Sequence, residues 1–134
     1  MKKILFVEDE PYLKLDVLFT WLELKNITVE YEIVGSIAAA KRYLANKENK
    51  VDLVVTDLGL PRFDGERVMN LLEGMTIVYD MCKFNTQVPV IINSTTVIPN
   101  FERAQEEYEE RGQQLYKVNS IMRMKDWLMD FLMS

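Results

Sequence analysis

Short strand-like segments, three of them unbroken apolar runs, alternate along the chain with helical segments, strand then helix five times over. Residues 4–7 (Ile-Leu-Phe-Val) stop abruptly at Glu8-Asp9-Glu10-Pro11, as a strand buried on both faces stops before a helix. Pro11 suits a first helical turn, Asp9 or Glu10 is placed to cap it, and Leu13, Val17, Leu18, Trp21, Leu22 and Leu24 give the helix its face. Val29, Tyr31 and Ile33 alternate with polar neighbours, so the second strand has one wetter face, and Ser36 is the N-cap of the alanine-rich helix through Leu44. Leu53-Val54-Val55 is a third, doubly buried strand that runs into Thr56-Asp57 and a Gly/Pro-containing loop over residues 59–65.

Asp64 is expected to cap a third helix faced by Val68, Met69, Leu72 and Met75, running on towards Cys82 until Asn85 and Pro89 break it. Between Gly65 and Pro89 the chain has room for an extension of about two helical turns or for a loop, and lengthening a loop costs only about 0.6 kcal/mol per doubling. Val90-Ile91-Ile92 is the fourth strand, residues 101–111 a charged helix, residues 115–118 the fifth strand and residues 121–132 a closing amphipathic helix.

Alternating strand and helix with apolar strands predicts an α/β fold: a doubly wound, five-stranded parallel sheet with helices on both faces and right-handed crossovers. At 134 residues this is one domain spanning 1–134, with no repeat or linker to mark a second. Ligands of such sheets bind beyond the carboxyl ends of the strands, where the strand order reverses. The residues that matter therefore follow Val7, Val55, Ile92 and Val118.

Composition narrows the chemistry. The chain has no histidine, which removes the Ser-His-Asp triad, the imidazole base and His-ligated zinc at once. The lone Cys82 has no base to activate it and reads as a small core residue in a reducing, cytoplasmic setting. A net charge of −5 disfavours direct nucleic acid binding. Apolar runs fall far short of the roughly 20 residues that span a bilayer, so no membrane segment is expected. Neither Gly-x-Gly-x-x-Gly nor Gly-x-x-x-x-Gly-Lys appears, which argues against nucleotide binding.

Carboxylates must then carry the chemistry. Glu8 and Asp9 end the first strand, Asp57 the third, and Asn93-Ser94-Thr95 the fourth. Three converging carboxylates repel, and a hard divalent cation with oxygen ligands relieves them; magnesium, which shares its coordination with phosphate oxygens, fits. A carboxylate can also attack phosphorus to give an acyl phosphate, and Asp57, followed by Gly59, is the best candidate, with Ser94 as a hydroxyl donor. The plainer reading of Glu8, Asp9 and Glu10 is helix capping alone. A phosphatase built on an aspartate nucleophile would show Asp-x-Asp, whereas this chain has Asp57-Leu58-Gly59.

At these residues the chain resembles the response regulator receiver family of two-component signalling. Residues 4–11 resemble that family's opening strand and acidic pair, Asp57-Leu58-Gly59-Leu60-Pro61-Arg62-Phe63-Asp64-Gly65 its phosphoacceptor loop, and Pro89-Val90-Ile91-Ile92-Asn93-Ser94-Thr95 its fourth strand with the switch hydroxyl. The resemblance implies that Glu8, Asp9, Asp57 and the Gly59 carbonyl bind Mg, that Asp57 accepts a phosphoryl group from a histidine kinase or phosphotransfer protein, and that Ser94 reports it. It also implies a phosphoacceptor rather than a turnover enzyme, signalling through a downstream protein partner or a homodimer. The family's lysine at the end of strand five is usually followed by proline, and Tyr116-Lys117-Val118-Asn119-Ser120 has no such pair. Two registers result: Lys117 contacts the phosphate, which is the reading preferred here, or Asn119 takes that place and the charge is lost. Thr95 stands where the family keeps Ala or Gly. A degenerate receiver that binds protein without phosphorylation is the alternative.

In the charged helix, Arg103, Glu107 and Arg111 are spaced for ion pairs on a solvated face. Of Phe101, Tyr108 and Tyr116 at least one belongs to the core, as do the methionines and Trp127 near the C-terminus.

Overall fold

The computed structural model describes residues 1–84 and 88–133. The expectations for the Cys82 side chain, for the Leu13 side chain on its helix face and for a break at Asn85 lie outside what is described. The elements are β1 (Lys3–Val7), α1 (Pro11–Lys14), α2 (Asp16–Leu24), β2 (Glu30–Val34), α3 (Ile37–Ala45), β3 (Leu53–Thr56), α4 (Met75–Phe84), β4 (Val90–Asn93), α5 (Phe101–Glu110), β5 (Leu115–Val118) and α6 (Ile121–Met133). α1 and α2 follow one helical path, because Leu15 N–H donates to the Pro11 carbonyl at 2.8 Å and Phe19 N–H to the Leu15 carbonyl at 3.0 Å.

All strand pairings are parallel, in the order β2-β1-β3-β4-β5. The order reverses between β1 and β3, so the crevice falls above Val7 and Thr56. The alternation of side chains across the strands sorts the core into two layers. Leu5, Val7, Val54, Val90, Ile92 and Leu115 pack with Ile37, Ile77, Val78 and Tyr108 on one face. Ile4, Phe6, Leu53, Val55, Ile91 and Val118 pack with Leu18, Leu22, Met124 and Leu128 on the other. β1, β3 and β4 are buried almost throughout, as their unbroken apolar runs require, while β2 is the wetter edge strand and its Tyr31 is half exposed, stacked on Phe19 at 4.5 Å. No helix among the described residues is long and apolar enough to cross a membrane.

Ser36 caps α3 as expected, its Oγ accepting from Ala39 N–H at 3.1 Å. Two local expectations fail. Neither Asp9 nor Glu10 caps the first helix; Glu10 occupies the N-cap without a side-chain bond, and Glu8 Oε1 instead accepts the Glu10 N–H at 3.1 Å. Nor does Asp64 cap a helix. Asp64 and Gly65 form a turn with Gly65 at φ +82°, residues 66–74 run as loop and turn, and α4 begins only at Met75. The extra length after Gly65 is thus a loop. Val68, Met69 and Leu72 kept helical spacing by coincidence, and Met69 is three-quarters exposed.

Tyr108 is the aromatic of the charged helix that enters the core, donating its hydroxyl to the Val78 carbonyl. Arg103 and Glu107 pair at 3.5 Å on the exposed side of α5, and Trp127 packs between Tyr116 and Phe131.

Candidate functional site

The reversal of strand order brings the tips of β1 and β3 side by side, joined by the Asp57 N–H donating to the Val7 carbonyl at 3.0 Å, while the Glu8 N–H ties the end of β1 to β2 through the Val34 carbonyl at 2.9 Å. Glu8, Asp9 and Asp57 each offer an oxygen lying within 4.8 Å of the others. Glu8 and Asp57 are buried and Asp9 is half-buried. Burial, then the Asp57 charge, pushes the Glu8 carboxyl up to about 7, against the pull of the Glu10 N–H and of Lys14. An all-oxygen donor set under that repulsion fits a hard divalent cation.

Asp57 is held at both oxygens. Oδ1 accepts the Leu58 N–H at 2.7 Å, and Oδ2 accepts from Lys14 Nζ at 2.7 Å, which also stands 3.6 Å from Glu8 Oε1. Desolvation pulls the Lys14 ammonium down, but the bond to Asp57 and the charges of Glu8, Asp57 and Asp9 outweigh it and leave the group raised. Lys14 is the residue that reading the strand ends overlooked. Side chains in a first helical turn lean back towards the helix N-terminus, so a lysine just after the acidic pair, on a helix started by Pro11, reaches the strand tips.

A cleft of about 610 Å³ opens over these groups, lined among others by Asp9, Lys14, Asp57, Gly59, Ser94 and Asn119. Ser94 Oγ accepts the Thr96 N–H at 3.1 Å, which leaves its own proton to donate. Lys117 is not among the lining residues. Strand alternation puts its side chain on the Leu115 face of β5, where Nζ donates to the Ser94 carbonyl at 2.8 Å, while Asn119 and Ser120 carry the strand end into the cleft. Thr95 and Thr96 also line it.

A second overlooked residue is Gly74. A Cβ there would stand 2.3 Å from the Asp57 carbonyl oxygen and 2.8 Å from Leu58 Cα, and the Gly74 N–H donates to the Leu58 carbonyl at 2.7 Å. At Gly59, by contrast, a Cβ would meet only Leu71 and Val68 at 3.6 and 3.8 Å, ordinary contact distances. The close backbone approach in this loop therefore belongs to Gly74.

No protein-family model matches the chain, and no curated protein does. Solved structures do. The non-phosphorylated HemR receiver domain from Leptospira biflexa superposes with a TM-score of 0.66 at 22% identity, over 98% of this chain and 94% of that one. The phosphorylated cyanobacterial phytochrome response regulator RcpA gives 0.65 at 23% identity, over 99% and 94%. Response regulator RPA3017 from R. palustris red light signalling gives 0.62 at 20%, over 98% and 91%. Across nearly its whole length, therefore, this chain has the fold of the response regulator receiver domains.

Proposed function

We propose that the chain is a single receiver domain of a two-component phosphorelay, which accepts a phosphoryl group on Asp57 from a histidine kinase or phosphotransfer protein and signals through contacts with a downstream protein. The observation that carries this reading is the position of Asp57, buried at the sheet's switch point with Glu8 and Asp9 within 4.8 Å and lining an open cleft that Ser94 also lines. In the transfer, Asp57 Oδ2 forms a bond to phosphorus as the bond from phosphorus to the donor breaks, the leaving group keeping that electron pair. A carboxylate nucleophile needs no base, which suits a chain without histidine. Ser94 would donate its hydroxyl to a phosphoryl oxygen. Glu8, Asp9, Asp57 and the Gly59 carbonyl would hold magnesium, which when bound supplies neutralisation of the carboxylates and of the transferring oxygens.

The second reading, a degenerate receiver acting as a protein-binding module without phosphorylation, is favoured by one observation: Asn119, not Lys117, reaches the cleft at the end of β5. Magnesium separates the two. At saturating magnesium and neutral pH the thermal midpoint of the wild type should rise on the order of 5 °C. Asp9→Ala should lose that rise, and Glu30→Ala, on the exposed end of β2, should keep it. A midpoint indifferent to magnesium would favour the degenerate reading, and a rise that survives Asp9→Ala would place the cation elsewhere.

A further inference from the structure

We infer that Lys14, from the first helical turn, is the cation of this pocket: it neutralises Asp57 in the unmodified protein and is the ammonium that meets the phosphoryl oxygens once Asp57 is modified. The inference rests on the phosphoacceptor reading above and assigns a further residue to it. Three observations converge. Lys14 Nζ lies 2.7 Å from Asp57 Oδ2 and 3.6 Å from Glu8 Oε1, so it already stands on the Asp57 oxygen that the Leu58 N–H does not occupy. Among the residues lining the cleft, Lys14 is the only lysine or arginine. The alternative cation, Lys117, spends its ammonium on the Ser94 carbonyl at 2.8 Å.

Charge makes the assignment necessary. Once Asp57 is an acyl phosphate, the pocket holds a phosphoryl group of about −1.5 to −2 charge beside the Glu8 and Asp9 carboxyls, more negative charge than one divalent cation balances. An ammonium on a flexible four-carbon stem, with nearly half its side chain exposed, can shift by the length of a phosphorus–oxygen bond and follow the new oxygens. The same position sets it against a metal ion. In the unmodified protein Lys14 and magnesium neutralise the same oxygens, so each weakens the hold of the other.

The expected signature is a pair of opposite changes in one variant. Lys14→Ala should bind magnesium about three- to tenfold more tightly by calorimetry, since a competing charge is gone, a range kept modest because the ammonium is partly solvated. It should also take up phosphoryl from acetyl phosphate about tenfold more slowly at saturating magnesium. Lys14→Arg keeps the charge and should keep the weaker magnesium binding and recover part of the rate. If Lys14→Ala matches the wild type in both measurements, or if Lys117→Ala produces the paired change instead, the inference is overturned. A wild type that acetyl phosphate does not modify would overturn the proposed function and the phosphoryl half of this inference, whereas modification of wild type and Lys14→Ala at equal rates would overturn the inference alone.

Discussion

Gly74→Ala should disrupt the loop that follows Asp57 without altering any charged side chain. The added methyl would sit 2.3 Å from the Asp57 carbonyl oxygen and 3.0 Å from the Leu58 carbonyl oxygen, both backbone atoms that no rotamer change can clear. Either residues 66–74 lift off the loop, breaking the 2.7 Å bond from Gly74 N–H to Leu58, or the loop moves and takes Asp57 with it. Leu58 and Leu60 are fully buried, so the second route also opens the core. Overpacking of this kind costs about 1–3 kcal/mol or more, roughly 4–12 °C in thermal midpoint for a domain of this size, and magnesium stabilisation should fall with it. Gly59→Ala, with contacts of 3.6 Å and longer, should leave the midpoint within about 2 °C of the wild type. Equal effects at the two glycines in a thermal melt would contradict the packing described.

In the metal-free protein, Glu8→Gln should be stabilising at pH 8 and should flatten the pH dependence of stability. Glu8 titrates near 7 when folded and near 4.5 when unfolded. The folded state thus holds the proton more tightly, and the contribution of this group is fully present below about pH 4.5 and lost as pH rises through 7. Above pH 7 the ionised carboxylate, buried beside Asp57, is a cost of up to about 3 kcal/mol. Glutamine keeps the oxygen that accepts the Glu10 N–H and removes the charge. Urea melts in chelator should therefore show the wild type losing stability between pH 5 and 8 more steeply than Glu8→Gln. Parallel pH profiles would mean that Glu8 is not under repulsion. Magnesium should reverse the order at pH 8, because the variant lacks a ligand.

Most of the fold was legible because it is written in periodicity. Short unbroken apolar runs such as Ile4-Leu5-Phe6-Val7 and Val90-Ile91-Ile92, stopped or preceded by acidic residues and proline, read as strands covered on both faces, and in an alternating α/β chain the tips of such strands bring Glu8, Asp9 and Asp57 together. What stayed hidden depended on contacts between segments distant in sequence. The helical spacing of Val68, Leu72 and Met75 gave no sign that Gly74 spends its N–H on Leu58, which keeps the chain out of helix until Met75. Lys14 lay off the strand ends, and only the lean of side chains in the first turn brings it to Asp57. In Leu115-Tyr116-Lys117-Val118 either register satisfies alternation at the sequence level; the pairing of Asn93 with Val118 turns Lys117 to the Ser94 carbonyl and Asn119 to the cleft.

Whether Asp57 accepts phosphate is read most directly by intact mass after incubation with acetyl phosphate and magnesium. The wild type should gain a single phosphoryl group, lost again on standing as the acyl phosphate hydrolyses, and Asp57→Asn should gain none. An unchanged wild-type mass under conditions that modify other receiver domains, or a gain that persists in Asp57→Asn, would contradict that role for Asp57.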